Sequence, residues 1–118
     1  MSYINWYPLE SRQQDGLTIV VDKTYEDMDP ADSFDESCFD IQEIREDIDA
    51  GRLDWFILRV RVFLDDVELG RNIVGGMLYK DAEEVLTDGV VDDMLAEAMH
   101  EARSRAIKLK SQLEELGI

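Results

Sequence analysis

Between Asp54 and Leu64 the chain alternates so regularly that an extended strand is the one backbone that accommodates it. Phe56, Leu58, Val60, Val62 and Leu64 fall on one side, and Trp55, Ile57, Arg59, Arg61 and Phe63 on the other. The first set is uniformly apolar and is expected to face a core. The second mixes aromatics with two arginines, which fits a half-exposed sheet face where arginine stems cover apolar surface. Asp65-Asp66 reads as a tight turn into Val67 to Val74, so an antiparallel hairpin is expected, and Gly75-Gly76 ends or bends its second strand. One more strand is read at Leu17 to Asp22, a β-branched run opened by the turn signal Asp15-Gly16.

Helices are expected around this sheet. Pro30 blocks a helix through residues 25–37, which read as a polar loop. From residue 40 to 50 the isoleucines Ile41, Ile44 and Ile48 recur at helical spacing, with Ser37 or Asp40 as candidate N-cap and Gly51 at the left-handed C-cap position. A short helix is read from Asp81 to Leu86. A long one begins near Val90 and runs to about 115. Its stripe is Val91, Leu95, Ala98, Ala102, Ala106, Leu109, Leu113 and Leu116, widened by Met94 and Met99. Acidic residues (Asp92, Asp93, Glu97, Glu101) precede basic ones (Arg103, Arg105, Lys108, Lys110), the order that complements the helix dipole. Such a helix spans roughly 39 Å at 1.5 Å per residue. That is longer than a three-stranded sheet can cover, so Leu109, Leu113 and Leu116 are the expected oligomerisation contacts, in a homodimer through this helix. The fold class expected is α+β: one domain with a three-stranded antiparallel sheet, two to three helices and a long C-terminal helix.

Charge is the other constraint. Twenty-eight carboxylates against twelve basic side chains give a net charge of −16. Eleven of the carboxylates lie between Glu26 and Asp49: Glu26, Asp27, Asp29, Asp32, Asp35, Glu36, Asp40, Glu43, Glu46, Asp47 and Asp49. Arg45 alone opposes them, which leaves −10 over that stretch. Disordered acidic chains are poor in large apolar residues, whereas 45% of this one is hydrophobic, so a folded acidic surface is expected. Such a surface repels nucleic acid and attracts basic proteins. The basic cluster at 103–110 is flanked by Glu101, Glu114 and Glu115, which argues against direct nucleic-acid binding.

Catalytic and metal chemistry find little support. The lone histidine, His100, sits inside the long helix, and the lone cysteine, Cys38, is read as a small buried apolar residue; neither lies in a nucleophile signature. One cysteine excludes an internal disulfide and a cysteine-rich zinc site. Asp27, Asp29, Asp32, Asp35 and Glu36 cluster as calcium ligands do, but the EF-hand pattern is absent and Pro30 interrupts the run. No catalytic residue, metal or cofactor is therefore expected. Met1 to Leu9 lacks the basic and apolar runs of a secretion signal, and no stretch approaches about 18 apolar residues, so a cytoplasmic protein without membrane contact is expected.

Several segments carry a resemblance: Trp6-Tyr7-Pro8 with Glu10-Ser11-Arg12, Phe34 to Asp40 (FDESCFD), Asp54 to Arg61 (DWFILRVR) and Gly75-Gly76-Met77-Leu78-Tyr79. Together they resemble small uncharacterised acidic proteins encoded by tailed bacteriophages. The resemblance implies a bacterial host cell as the setting and, by association, a non-enzymatic inhibitor of a host DNA-handling or defence protein. Mimicry of DNA follows from the charge, because duplex DNA presents one negative charge per roughly 1.7 Å of axis and its rival needs many carboxylates on one surface. Glu26, Asp27, Asp29, Asp32, Asp35, Glu36, Asp40, Glu43, Glu46 and Asp47 are the expected partner-binding residues, with Trp55 or Phe63 as apolar anchors. The alternative is a phage accessory or assembly protein that binds a protein partner through the long helix.

Overall fold

The computed structural model describes residues 5–118; Met1 to Ile4, the start of the stretch read for a secretion signal, lie outside them. Among the described residues the sheet has four strands and not the expected three. They are β1 (Tyr7–Gln14), β2 (Leu17–Tyr25), β3 (Asp54–Leu64) and β4 (Val67–Tyr79), antiparallel throughout and hydrogen-bonded in sequence order. Among the same residues two α-helices accompany them, α1 (Ile41–Asp49) and α2 (Val90–Glu115). The architecture is α+β.

The additional strand is β1, whose sequence carries no strand signal of its own. Tyr-Pro-Leu-Glu-Ser-Arg-Gln-Gln is polar, carries a proline and shows no alternation of apolar residues. A strand of that kind is stable only at a sheet edge, where one row of backbone groups faces water and proline is tolerated. The turn Asp15-Gly16, read above as opening β2, is in fact the loop of a β1–β2 hairpin. Both residues have positive φ (53° and 79°), as a type I′ turn demands. At the other edge β4 runs on to Tyr79 instead of stopping at Val74. Gly75-Gly76 bends it, and the pairing with β3 shifts register between Leu58 and Phe56.

One face of the sheet carries the core. Ile19, Val21, Phe56, Leu58, Val60 and Val62 are fully buried, beneath Val91, Met94, Leu95, Ala98 and Ala102 of α2. The approach is closest at Gly70 of β4, whose missing side chain lets the Ala98 carbonyl and the Ala102 backbone press onto the strand. Large apolar side chains at 98 or 102 would hold the helix away, and the sequence places alanine at both.

Beyond Ala102 the apolar stripe loses its cover, although Leu109 still packs against the core. Ala106 is exposed, Leu109 half-buried, Leu113 46% exposed and Leu116 73% exposed. Leu64, expected in the core, is 49% exposed at the hairpin tip. The molecule is elongated accordingly, 60 × 30 × 26 Å.

The expected helix at 81–86 is a 3-10 turn, Ala82–Leu86, capped by the Asp81 carboxylate on the Glu83 N–H and tied to β3 by Asp54, which accepts from the Ala82 N–H at 2.8 Å. The turn leads into Asp88, whose carboxylate accepts from the Val90 N–H and from the Tyr79 hydroxyl. Partial burial, that hydrogen bond and the negative charges of Asp88 and Glu84 push the Tyr79 phenol up to about 12. The folded value lies above the ordinary 10. Any stability this group contributes is thus complete below pH 10 and lost as pH rises toward 12. An ultraviolet phenolate titration of the four-tyrosine chain should show a late step near pH 12 that Tyr79→Phe abolishes. A late step surviving that substitution would place the perturbed phenol elsewhere.

Candidate acidic interface

Residues 26–53 form an arm between β2 and β3 that holds all eleven carboxylates of the tract. Its fold is set by a few anchors. Trp55, at the start of β3 on the sheet face away from α2, is 5% exposed and donates its indole N–H to the Met28 carbonyl at 2.8 Å. Phe34 packs beside it, and Phe39 beside Phe34, with ring centroids 5.9 and 5.1 Å apart. Pro30 is buried at the first position of a 3-10 turn, Pro30–Asp32. Of the α1 isoleucines, Ile41 is buried and Ile44 and Ile48 are half-buried.

Four carboxylates are committed to this local architecture. Asp29 caps the 3-10 turn on the Ala31 N–H and receives Arg45 in a fork of 2.8–3.2 Å, which ties α1 to the turn. Asp35 accepts from both the backbone N–H and the hydroxyl of Ser37. Asp40 is the N-cap of α1, accepting from the Glu43 N–H at 3.1 Å. Asp47 is half-buried against Arg52, 2.6 Å away. The Ala31 N–H, followed by Arg45, holds the Asp29 carboxyl below its usual range; the Ser37 N–H and hydroxyl do the same for Asp35. Both stay charged into mild acid. Any stability they contribute is present above about pH 4 and is lost as pH falls through their depressed values.

The rest of the tract faces water. Nine of the eleven carboxylates are exposed; Glu26 and Asp47 are half-buried. Glu43, Glu46 and Asp49 share one side of α1 opposite its isoleucines, and Asp32, Glu36 and Asp40 continue the exposure through the preceding turns. Among the described residues Asp27, Asp32, Glu36, Glu43 and Asp49 accept no side-chain hydrogen bond and join no ion pair. Along α1, Glu43, Glu46 and Asp49 are spaced at about 4.5 Å of axial rise. One duplex strand carries a charge per about 3.4 Å of axis, a comparable density.

The expected anchors need correction. Trp55 is enclosed by the arm and offers a partner nothing; Phe63 is half-buried beside Arg61. The aromatics that remain open near the carboxylates are Phe39 at 49% exposure and Tyr25 at 67%, the latter edge-on to Tyr7. Cys38, expected to be buried, is exposed with its sulfur 3.8 Å from the Ser37 hydroxyl. His100 is exposed on α2. Among the described residues no three histidine, cysteine or acidic side chains converge as a metal site requires. Among them, too, no helix is long and apolar enough to cross a membrane.

A separate cluster braces the sheet face away from α2. Asp22 of β2 is 4% exposed and accepts from Arg59 through both oxygens (2.8 and 2.6 Å) and from Arg61 at 3.0 Å. The Arg59 guanidinium carbon lies over the Trp6 ring, 3.8 Å from its centroid. The two arginines share the Asp22 carboxylate, with the Arg61 Nε left buried without a partner, and the cluster braces β2 against β3.

Comparison with known proteins finds no family model, no curated protein and no solved structure that matches the chain.

Proposed function

We propose that the chain is a non-enzymatic inhibitor that occupies a basic, nucleic-acid-binding surface of another protein with the exposed side of its acidic arm. The observation that carries this reading is the presentation of nine exposed carboxylates on an arm pinned by Trp55, Asp29–Arg45 and the Asp40 cap. An ordered array lets charge-assisted hydrogen bonds to Lys and Arg form without first fixing a loose loop. Phe39 and Tyr25 supply the apolar contact that long-range charge attraction lacks. The resemblance to phage-encoded acidic proteins makes a bacterial DNA-handling or defence protein the expected target, in the host cytoplasm.

The test separates carboxylates that shape the arm from those that merely face water. Asp32→Asn, Glu36→Gln, Glu43→Gln and Glu46→Gln, combined, remove four charges and leave Asp29, Asp35, Asp40 and Asp47 intact. Immobilised chain in bacterial lysate should retain a DNA-binding protein that duplex DNA displaces and moderate salt weakens. The fourfold variant should hold the same protein at least about 100-fold less tightly, near 0.7 kcal/mol per charge. Retention indifferent to duplex DNA, salt and these substitutions would refute the phosphate analogy. A second reading, a protein contact through the outer half of α2, is favoured by the exposure of Leu113 and Leu116 there.

A further inference from the structure

The outer half of α2 and the β3–β4 hairpin tip enclose an open apolar groove of about 500 Å³, lined by Leu64, Val67, Leu69, Leu109, Leu113 and Ile118. The helix ends in a Schellman turn: Gly117, at φ +76°, donates to the Glu114 carbonyl and Ile118 to the Leu113 carbonyl, which folds Ile118 back toward the groove. Side chains of the same stripe are buried at 91–102 and uncovered here. We propose that a second copy of this chain covers them, its α2 running antiparallel to the first in a two-fold symmetric dimer.

The charge pattern identifies the occupant. Residues 103–115 carry Arg103, Arg105, Lys108 and Lys110 against Glu114 and Glu115, a local balance of +2 in a chain of −16. Two copies repel almost everywhere else, so this segment is where they approach most easily. Successive helical residues turn by about 100°, which puts Lys110 and Glu114 on one flank of the apolar stripe and Lys108 and Glu115 on the other. Antiparallel helices bring like flanks together. With the two-fold axis near Ser111 and Gln112, Lys110 meets Glu114 of the second copy, Lys108 meets its Glu115, and Leu109 falls beside its Leu113. Each contact occurs twice. A parallel pair would juxtapose lysines with lysines and glutamates with glutamates. The segment is self-complementary in one orientation, and it does not involve the acidic arm, so this dimer and the inhibitory reading stand or fall separately.

Sedimentation equilibrium of the full chain at micromolar to submillimolar concentration tests this. A dimer is expected, and Leu113→Asp, at an exposed position, should raise its dissociation constant by on the order of 100-fold or more because symmetry counts the loss twice. Lys110→Glu should raise it by about tenfold or more, and Lys110→Glu with Glu114→Lys should return it to within about threefold of the original. The double exchange preserves the fold whatever Leu113→Asp does, with circular dichroism as the check. A monomer at every concentration overturns the proposal. So does a dimer indifferent to Leu113→Asp, or one that the double exchange fails to restore.

Discussion

Gly70→Ala is expected to lower the unfolding free energy by about 3 kcal/mol or more, the upper end of what overpacking costs. A methyl carbon at this position would overlap the Ala98 carbonyl oxygen and lie 2.8 Å from the Ala102 nitrogen. Both are backbone atoms inside a helix, so neither can yield as a side chain would. Relief requires α2 to lift from β4, and the lift uncovers Leu95, Ala98 and the strand residues beneath them. In a chain of this size that loss corresponds to a melting temperature lower by on the order of 10 °C. Gly75→Ala is the control. Its new methyl would meet the end of the Glu26 side chain at 3.3 Å, a flexible group that can move aside, and it should change stability by less than about 0.5 kcal/mol. Thermal unfolding followed by circular dichroism distinguishes the two. Equal effects would mean that helix and sheet do not meet at Gly70 as described.

What the sequence made legible follows from how strongly each segment depends on its own residues. The strand at 54–64 carries its burial in its alternation, and the long helix carries its length in an unbroken stripe; both appear with the expected bounds. Strand β1 carries neither. Its position comes from β2, which offers a free edge, and from a two-residue turn whose backbone admits only a hairpin. Similarly, nothing in the stripe of α2 marks the residue at which the sheet ends beneath it. Helix length alone sets Leu109, Leu113 and Leu116 apart from Leu95 as contacts for another subunit, and the gradual loss of burial from Ala102 to Leu116 comes from where the strands end beneath the helix.

The acidic arm divides along the same line. That its carboxylates would be numerous and mostly outward was evident from composition and from the isoleucines of α1. Their division into supporting and free members was not, because it depends on partners such as Ala31, Ser37 and Arg52, within five residues, and on the distant Arg45. The helix cap was readable in advance, since Asp40 stands where an N-cap belongs. Alternation assigns Trp55 to a sheet face but does not say whether a loop folds over that face.

Asp22→Ala should destabilise the chain by about 3–5 kcal/mol, the range found when one partner of a buried charge network is removed. Asp22 stood at the end of an apolar run and read as the close of a strand. In the structure it lies within β2, and its side chain is 6% exposed between Arg59 and Arg61, themselves 12% and 24% exposed. Removing it leaves two guanidinium groups facing each other with no anion between them. Arg61→Ala should be milder, about 1.5–3 kcal/mol, because Asp22 keeps the fork from Arg59 and Arg59 keeps its stack on Trp6. The triple change Asp22→Val, Arg59→Met, Arg61→Leu should recover most of the loss, since apolar packing can replace a buried ion network of similar volume. Urea unfolding of the three proteins, followed by tryptophan fluorescence, orders them. If Asp22→Ala proved no worse than Arg61→Ala, water would be reaching the two arginines, and the sheet face away from α2 would have to be more open than its burial indicates.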